Sequence, residues 1–256
     1  MTNSTPLHLP HPIKVVLFDL GSTLIYFDGD WPEVIAANEQ ALIQALHQAG
    51  LAVDGERFIA DLQARDAVDF PAGETVLVEH PTFNVVGELL VAHGYPGVPE
   101  ATLRQVLATM YAVSQAHWHV EEDAAPTLEV LRQAGYRMGI VSNAGDDQDV
   151  KTLIDKAHLR GYFDIILSSA AVGIRKPDPQ IFHLALAQWG CPPNQAVMVG
   201  DTLGADVLGA HNAGMPGIWI SRRVDTPANR AKLATITPDA IITALGELPE
   251  LLLRGL

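Results

Sequence analysis

Six short runs rich in apolar and β-branched residues recur along this chain: KVVLFD, YRMGIVSN, FDIILSS, AVMVGD, GIWIS and DAIIT. Their hydrophobicity is nearly continuous rather than alternating, the pattern of strands buried on both faces. Helical segments with clear punctuation separate them. In APTLEVLRQAG, Pro126 falls in a first turn and Gly135 just past the end, and PDPQIFHLALAQWG stops in the same way at Gly190. Strands of this kind alternating with helices build an α/β fold, a doubly wound parallel-sheet core of Rossmann-like form.

The alternation breaks once. From about Asp28 to His117 the chain offers the helical patterns WPEVIAANEQALIQALHQAG, ERFIADLQARDAV and ATLRQVLATMYAVSQAHW, and no convincing strand. So long an excursion between the first and second core strands reads as an inserted, all-helical domain. The expected organisation is a flexible N-terminal extension over 1–12, an α/β core from 13–27 and 118–256, and a helical insert over 28–117. The insert carries thirteen acids, three arginines (Arg57, Arg65, Arg104) and no lysine, which reads as a solvated acidic helix face.

Charge narrows the partners. Thirty acids against sixteen Lys and Arg give a formal net charge of −14 over 256 residues, a surface that repels nucleic acid and anionic membrane. No stretch approaches the ~20 apolar residues of a membrane span, and MTNSTPLHLPHP lacks the basic and apolar regions of a signal peptide. The single cysteine, Cys191, allows no internal disulfide and suits a reducing compartment. It is read as an inert thiol in a helix-to-strand loop. These features lead to the expectation of a soluble, cytoplasmic protein acting on small molecules.

Open parallel sheets bind ligands beyond the carboxyl ends of their strands. KVVLFD delivers Asp19 there, YRMGIVSN delivers Ser142 and Asn143, and AVMVGD delivers Asp201, with Asp206 one helical turn later. GIRKPDP, between the third and fourth strands, adds Lys176. Singly, each has an ordinary explanation, such as a turn cap for Asp19 or plain surface for Lys176. Jointly they form a chemical set. Carboxylates converging within a few ångströms repel one another unless a cation lies between them, and hard oxygen donors with open water positions suit Mg²⁺. A carboxylate can also act as a nucleophile. A hydroxyl, backbone N–H groups and one ammonium (Ser142, Asn143, Lys176) can hold the oxygens of a phosphoryl group. Lys176 would also screen Asp19 from the charge of that group.

On these motifs the chain resembles the haloacid dehalogenase-like hydrolase superfamily, in its phosphatase-type subfamily I form with a helical cap. FDLGSTL matches the first motif, VSN the second, RKPDP the third and GDTLGAD the fourth, and the likeness runs from Ile13 to Ile220. The resemblance implies that Asp19 is nucleophile and metal ligand. It further implies that the Gly21 carbonyl and Asp201 bind the metal and that Asp206 supports it. Ser142, the Asn143 backbone and Lys176 would bind the phosphoryl group, while Thr23 orients the first loop.

One position departs from the pattern. Phosphatases of this kind carry an aspartate two residues after the nucleophile as general acid and base, and this chain has Gly21. That function is worth about 10²–10⁴-fold in rate. On this reading the glycine leaves an empty space, and the proton must come from solvent or from a carboxylate such as Asp28 or Asp30. The expected activity is Mg²⁺-dependent hydrolysis of a small phosphorylated metabolite, a phosphomonoester, through an aspartyl-phosphate. The alternatives are a catalytically weak phosphate-binding or regulatory member of the fold, or a 2-haloacid dehalogenase. The dehalogenase branch has a tyrosine at position 21 and lacks the acids matching Asp201 and Asp206. A phosphonoacetaldehyde hydrolase would need a cap lysine, and this insert has none.

Overall fold

The computed structural model describes residues 12–69 and 75–253, so the N-terminal extension expected over 1–12 lies, apart from its last residue, outside the described residues. In chain order, β1 (Val15–Phe18) and β2 (Ile25–Phe27) precede four helices, α1 (Trp31–Gln48), α2 (Gly55–Asp69), α3 (Thr82–Ala92) and α4 (Glu100–Gln115). The chain returns through β3 (Trp118–Val120), α5 (Ala124–Gln133), β4 (Arg137–Ser142), α6 (Asp147–Lys156), β5 (Ile165–Ser168), α7 (Ser169–Val172) and α8 (Pro179–Ala187). It ends with β6 (Ala196–Gly200), α9 (Leu208–Asn212), β7 (Gly217–Ile220), α10 (Pro227–Lys232), β8 (Ala240–Ile242) and α11 (Leu248–Leu253).

All six expected strands form one sheet in the order β5-β4-β1-β6-β7-β8, and every neighbouring pair is parallel. The continuous hydrophobicity has its cause in the layers. Val16 and Phe18 of β1 pack with Leu128, Leu131 and Ile154 from α5 and α6, whereas Val15 and Leu17 pack with Ile181, Phe182 and Leu186 of α8. Both faces are therefore buried, so neither parity along the strand can be polar. Chain order reverses between β1 and β6, the crevice where doubly wound sheets hold their ligands.

The inserted segment is helical and has its own core of Leu42, Leu46, Phe58, Val86, Leu90, Leu107 and Met110. Helix α3 was not among the expected helical patterns. It starts at Pro81 with no side-chain cap, and its residues TFNVVGELLVA are apolar on more than one face, so neither start signal nor periodicity marks it. A second feature also escapes the pattern: β2 and β3 pair antiparallel, Ile25 with Val120 and Phe27 with Trp118, and the Asp28 N–H donates to the His117 carbonyl at 2.8 Å. Three-residue strands are too short to show a period. This ribbon closes the insert at its root. Among the described residues no helix is long and apolar enough to cross a membrane.

Where α4 meets α6, Gln115 donates to Asp149 Oδ1 at 2.7 Å, and Lys156 donates to Gln115 Oε1 at 2.9 Å. Burial pushes the Asp149 carboxyl up to about 6, helped by nearby Asp146 and opposed by the Gln115 bond and Lys156. A folded-state value above the unfolded one favours the fold while the group is protonated, and that contribution fades as pH rises through about 6. Asp149→Asn keeps an acceptor for Gln115 and removes the buried charge. It should raise stability at pH 8 by up to about 3 kcal/mol, with the gain vanishing near pH 4. Denaturant unfolding at the two pH values checks this, and a gain of equal size at both would refute it.

Candidate active site

Each polar group expected at the carboxyl edge of the sheet is found there. The Asp19 N–H donates to the Val199 carbonyl at 2.9 Å, so the residue leaves β1 in register with β6. Gly200 ends β6, and a Cβ at that position would lie 2.2 Å from Asp206 Cγ, which only glycine avoids. The chain then makes a π-type turn over Leu203–Val207. Asp206 Oδ2 accepts the Thr202 N–H at 2.9 Å, the Thr202 hydroxyl donates to Asp201 Oδ1 at 3.0 Å, and Trp219 Nε1 donates to the Asp201 carbonyl at 2.7 Å. Backbone sterics and these bonds fix the two acids against each other.

Lys176 is 3% exposed. Its ammonium donates to Asp19 Oδ1 at 2.7 Å, Asp206 Oδ1 at 2.6 Å and the Val141 carbonyl at 2.7 Å, which satisfies all three of its protons. Burial opposes the charge, but Asp19 and Asp206 outweigh it and hold the Lys176 pKa above its ordinary value. Carboxylate oxygens of Asp19, Asp201 and Asp206 all lie within 4.8 Å of one another. Burial, and then Asp19 and Asp206, push the Asp201 carboxyl well above the usual carboxylate range. Burial also raises Asp206, with Lys176 opposing and Asp19 adding to the rise. Three carboxylates against one ammonium leave two negative charges in a nearly buried pocket. A divalent cation with a preference for oxygen donors fits that set.

Asn143 does more than its sequence position suggests. Its side chain clamps the Lys176 backbone from both sides, accepting from the N–H at 2.8 Å and donating to the carbonyl at 2.9 Å. Ser142 is buried at the end of β4. Thr23 is fully buried, and its hydroxyl has no hydrogen-bond partner among the described residues.

The space beside Gly21 is not empty. A Cβ there would lie 3.2 Å from Cη2 and 3.6 Å from Cζ3 of Trp118, so the benzo edge of that indole covers the place where a side chain at position 21 would start. This corrects the expectation of an empty space beside Gly21. Asp30, one of the two carboxylates considered as replacements, is the N-cap of α1 and accepts the Glu33 N–H at 3.1 Å.

A residue of the insert reaches the site's framework. Val78 forms an antiparallel bridge with Ile174, and the Arg175 N–H donates to the Leu77 carbonyl at 2.8 Å. This seats Glu79, whose side chain is fully buried, in an ion pair with Arg175. Glu79 Oε2 also accepts from the Ser169 hydroxyl at 2.5 Å, and Ser169 Oγ accepts the Ala144 N–H at 2.9 Å. One carboxylate thus ties the loop after β4 to the loop that carries Lys176. Sequence gave no sign of it, since an acid in an acidic helical segment is unremarkable until its partner 96 positions away is known.

A cavity of about 410 Å³ opens at the other end of the sheet beside Lys14, Tyr136, Arg137, Trp189 and Cys191. It is remote from the strand ends that carry Asp19 and Asp201.

The glyceraldehyde 3-phosphate phosphatase of Methanothermobacter thermautotrophicus is 29% identical over 247 residues, 94% of this chain and 100% of that protein. Among solved structures, a HAD phosphatase from Thermococcus onnurineus matches with a TM-score of 0.60 at 28% identity, over 94% of this chain and 98% of its own. A 2-haloacid dehalogenase from Pseudomonas syringae pv. Tomato DC3000 matches with a TM-score of 0.64, also at 28% identity, over 94% and 99%. The sequence profile of one family spans residues 13–214, from the start of β1 through the turn that bears Asp206. The chain belongs to the haloacid dehalogenase-like hydrolases.

Proposed function

We propose that this protein is a Mg²⁺-dependent phosphatase of small phosphomonoesters, working through an aspartyl-phosphate on Asp19, with residues 28–117 as its substrate-recognising cap. The observation that carries this reading is the buried ammonium of Lys176 set between Asp19 and Asp206, with Asp201 alongside. A dehalogenase has no use for three converging carboxylates, whereas phosphoryl transfer from a dianionic ester needs positive charge gathered around its oxygens.

In this reading Asp19 attacks phosphorus and the P–O bond to the leaving group breaks. Lys176 holds Asp19 in place and offsets repulsion between its carboxylate and the incoming dianion. The Ser142 hydroxyl and the Asn143 backbone N–H take phosphoryl oxygens at the end of β4. Asp19, Asp201 and the Gly21 carbonyl would hold the Mg²⁺, with Asp206 as support, and the ion would neutralise charge shared by the carboxylates and the phosphoryl group. Water then hydrolyses the acyl phosphate and frees the Asp19 carboxylate. Thr23 lies in the same loop and steadies it.

Removing metal with EDTA should abolish turnover of p-nitrophenyl phosphate, and Mg²⁺ should restore it. Metal should also raise thermal stability, by about 2.7 kcal/mol at a hundredfold excess over its Kd. Full turnover in EDTA would overturn the metal assignment and leave a phosphatase that works without the ion.

Glu79 offers a second check, from outside the reacting groups. Glu79→Ala takes an acceptor from Arg175 and Ser169 and should cost about 1–3 kcal/mol of stability. It should lower kcat more than it raises KM, because Lys176 loses its brace. Glu79→Gln should recover part of kcat through the Ser169 bond. An unchanged kcat in a folded Glu79→Ala variant would show that the two loops hold their geometry without the cap.

A further inference from the structure

We propose that Trp118 forms the leaving-group wall of this site and that the preferred substrates are phosphomonoesters of planar aromatic alcohols. The inference rests on the phosphatase reading and adds a substrate class to it. Two separate observations converge on that class.

The first is geometric. Trp118 places its benzo edge within van der Waals contact of position 21, two residues after Asp19. The indole makes edge-on contacts with two further rings: Phe27 lies 5.4 Å away at 70°, and Trp31 6.0 Å away at 69°. Phe27 and Trp31 stack on each other at 3.8 Å and 6°. Three large rings from β2, α1 and β3 therefore make one cluster, with one stacked and two edge-on contacts, and Trp31 remains 46% exposed. Such an arrangement adds favourable contacts for another flat ring, in offset or edge-on geometry, beyond simple area burial.

The second observation is chemical. Position 21 carries no acid, and the indole lies over the place where one would begin. Asp30 caps α1, and Asp28 is exposed at the end of β2 with its backbone paired to His117. An alkoxide leaving without a positioned proton donor is a poor leaving group, whereas a phenoxide is stable enough to depart first and take its proton from water. The electron balance is then complete. An Asp19 oxygen bonds to phosphorus as the aryl O–P bond breaks, and its electron pair leaves with the aryloxide. Water protonates the aryloxide, and a second water cleaves the acyl phosphate to give inorganic phosphate and the free carboxylate.

The test is calorimetric titration of the Mg²⁺-loaded protein with phenylphosphonate and methylphosphonate, neither of which can be hydrolysed at the P–C bond. Phenylphosphonate should bind about tenfold more tightly. That ratio should fall to near one in Trp118→Leu and be partly kept in Trp118→Phe, which guards against a merely misfolded variant. Turnover supplies the second arm: kcat/KM for phenyl phosphate should exceed that for a fluoroalkyl phosphate of matched leaving-group acidity. Equal affinity for the two phosphonates, or a ratio untouched by Trp118→Leu, overturns the aromatic wall. If both esters are hydrolysed at equal rates, the wall falls and the phosphatase reading stands. If neither phosphonate binds and neither ester is cleaved, both fall.

Discussion

Replacement of Asp19 by asparagine should leave a folded protein with no measurable phosphatase turnover. The change keeps the shape of the side chain and an oxygen to accept from Lys176, now 2.7 Å from Asp19 Oδ1. It removes the charge that attacks phosphorus, so no acyl phosphate can form. Loss of a covalent nucleophile lowers kcat by on the order of 10⁶, which places the variant below detection in an ordinary assay. Two measurements are needed. Thermal unfolding should show a fold at least as stable as wild type, because one of three crowded carboxylates has been neutralised. Acid quench after mixing with labelled ester should trap phosphate on the wild-type chain and none on the variant. Turnover at a tenth of the wild-type rate, or label on the variant, would mean that another residue attacks.

The second large effect is expected at Lys176. Its three donors are all used, two of them on the acids, and its side chain is buried. Lys176→Met keeps the length and removes the charge, leaving Asp19, Asp201 and Asp206 with no protein cation among them. Turnover should drop by at least about 10²–10³-fold. Lys176→Arg should not rescue it, since a planar guanidinium cannot reproduce three divergent contacts in a pocket shaped for a compact ammonium. Excess Mg²⁺ should recover stability in Lys176→Met better than it recovers kcat, because metal restores charge balance without restoring the donor. A Lys176→Met variant within tenfold of wild type would refute this role.

Much of this architecture is legible in the sequence, and the reason is burial. All six core strands announce themselves because both parities of each strand are apolar, and a run such as KVVLFD has no other stable home. Once the strands are placed, the rule that ligands gather at their carboxyl ends locates Asp19, Ser142 and Asp201 without further help. What stays hidden depends on approach through space. Trp118 reads as one aromatic residue at the end of a helical pattern, and only the β2–β3 ribbon brings it over Gly21. The Glu79–Arg175 pair joins two charged residues that have no shared pattern along the chain. Asn143 looks like a strand-end residue, yet its amide is spent on the Lys176 backbone. Helix α3 carries no legible start for a local reason, the absence of any capping side chain at Pro81.

The ribbon at the root of the insert has a bearing on how such chains diversify. β2 and β3 are neighbours, so the chain leaves the core and re-enters it at almost the same point. For the pairing of β1 with β4, everything between is one long loop whose ends already meet. Closing a loop roughly ninefold longer than a short turn costs only about 2 kcal/mol more, and an insert with its own apolar core returns more than that. Asp19, Ser142, Lys176, Asp201 and Asp206 all lie outside the insert over 28–117. A lineage can therefore lengthen, shorten or exchange the helices of the insert while these strand-end groups keep their places, provided the contacts of Glu79 with Arg175 and Ser169 are kept or replaced.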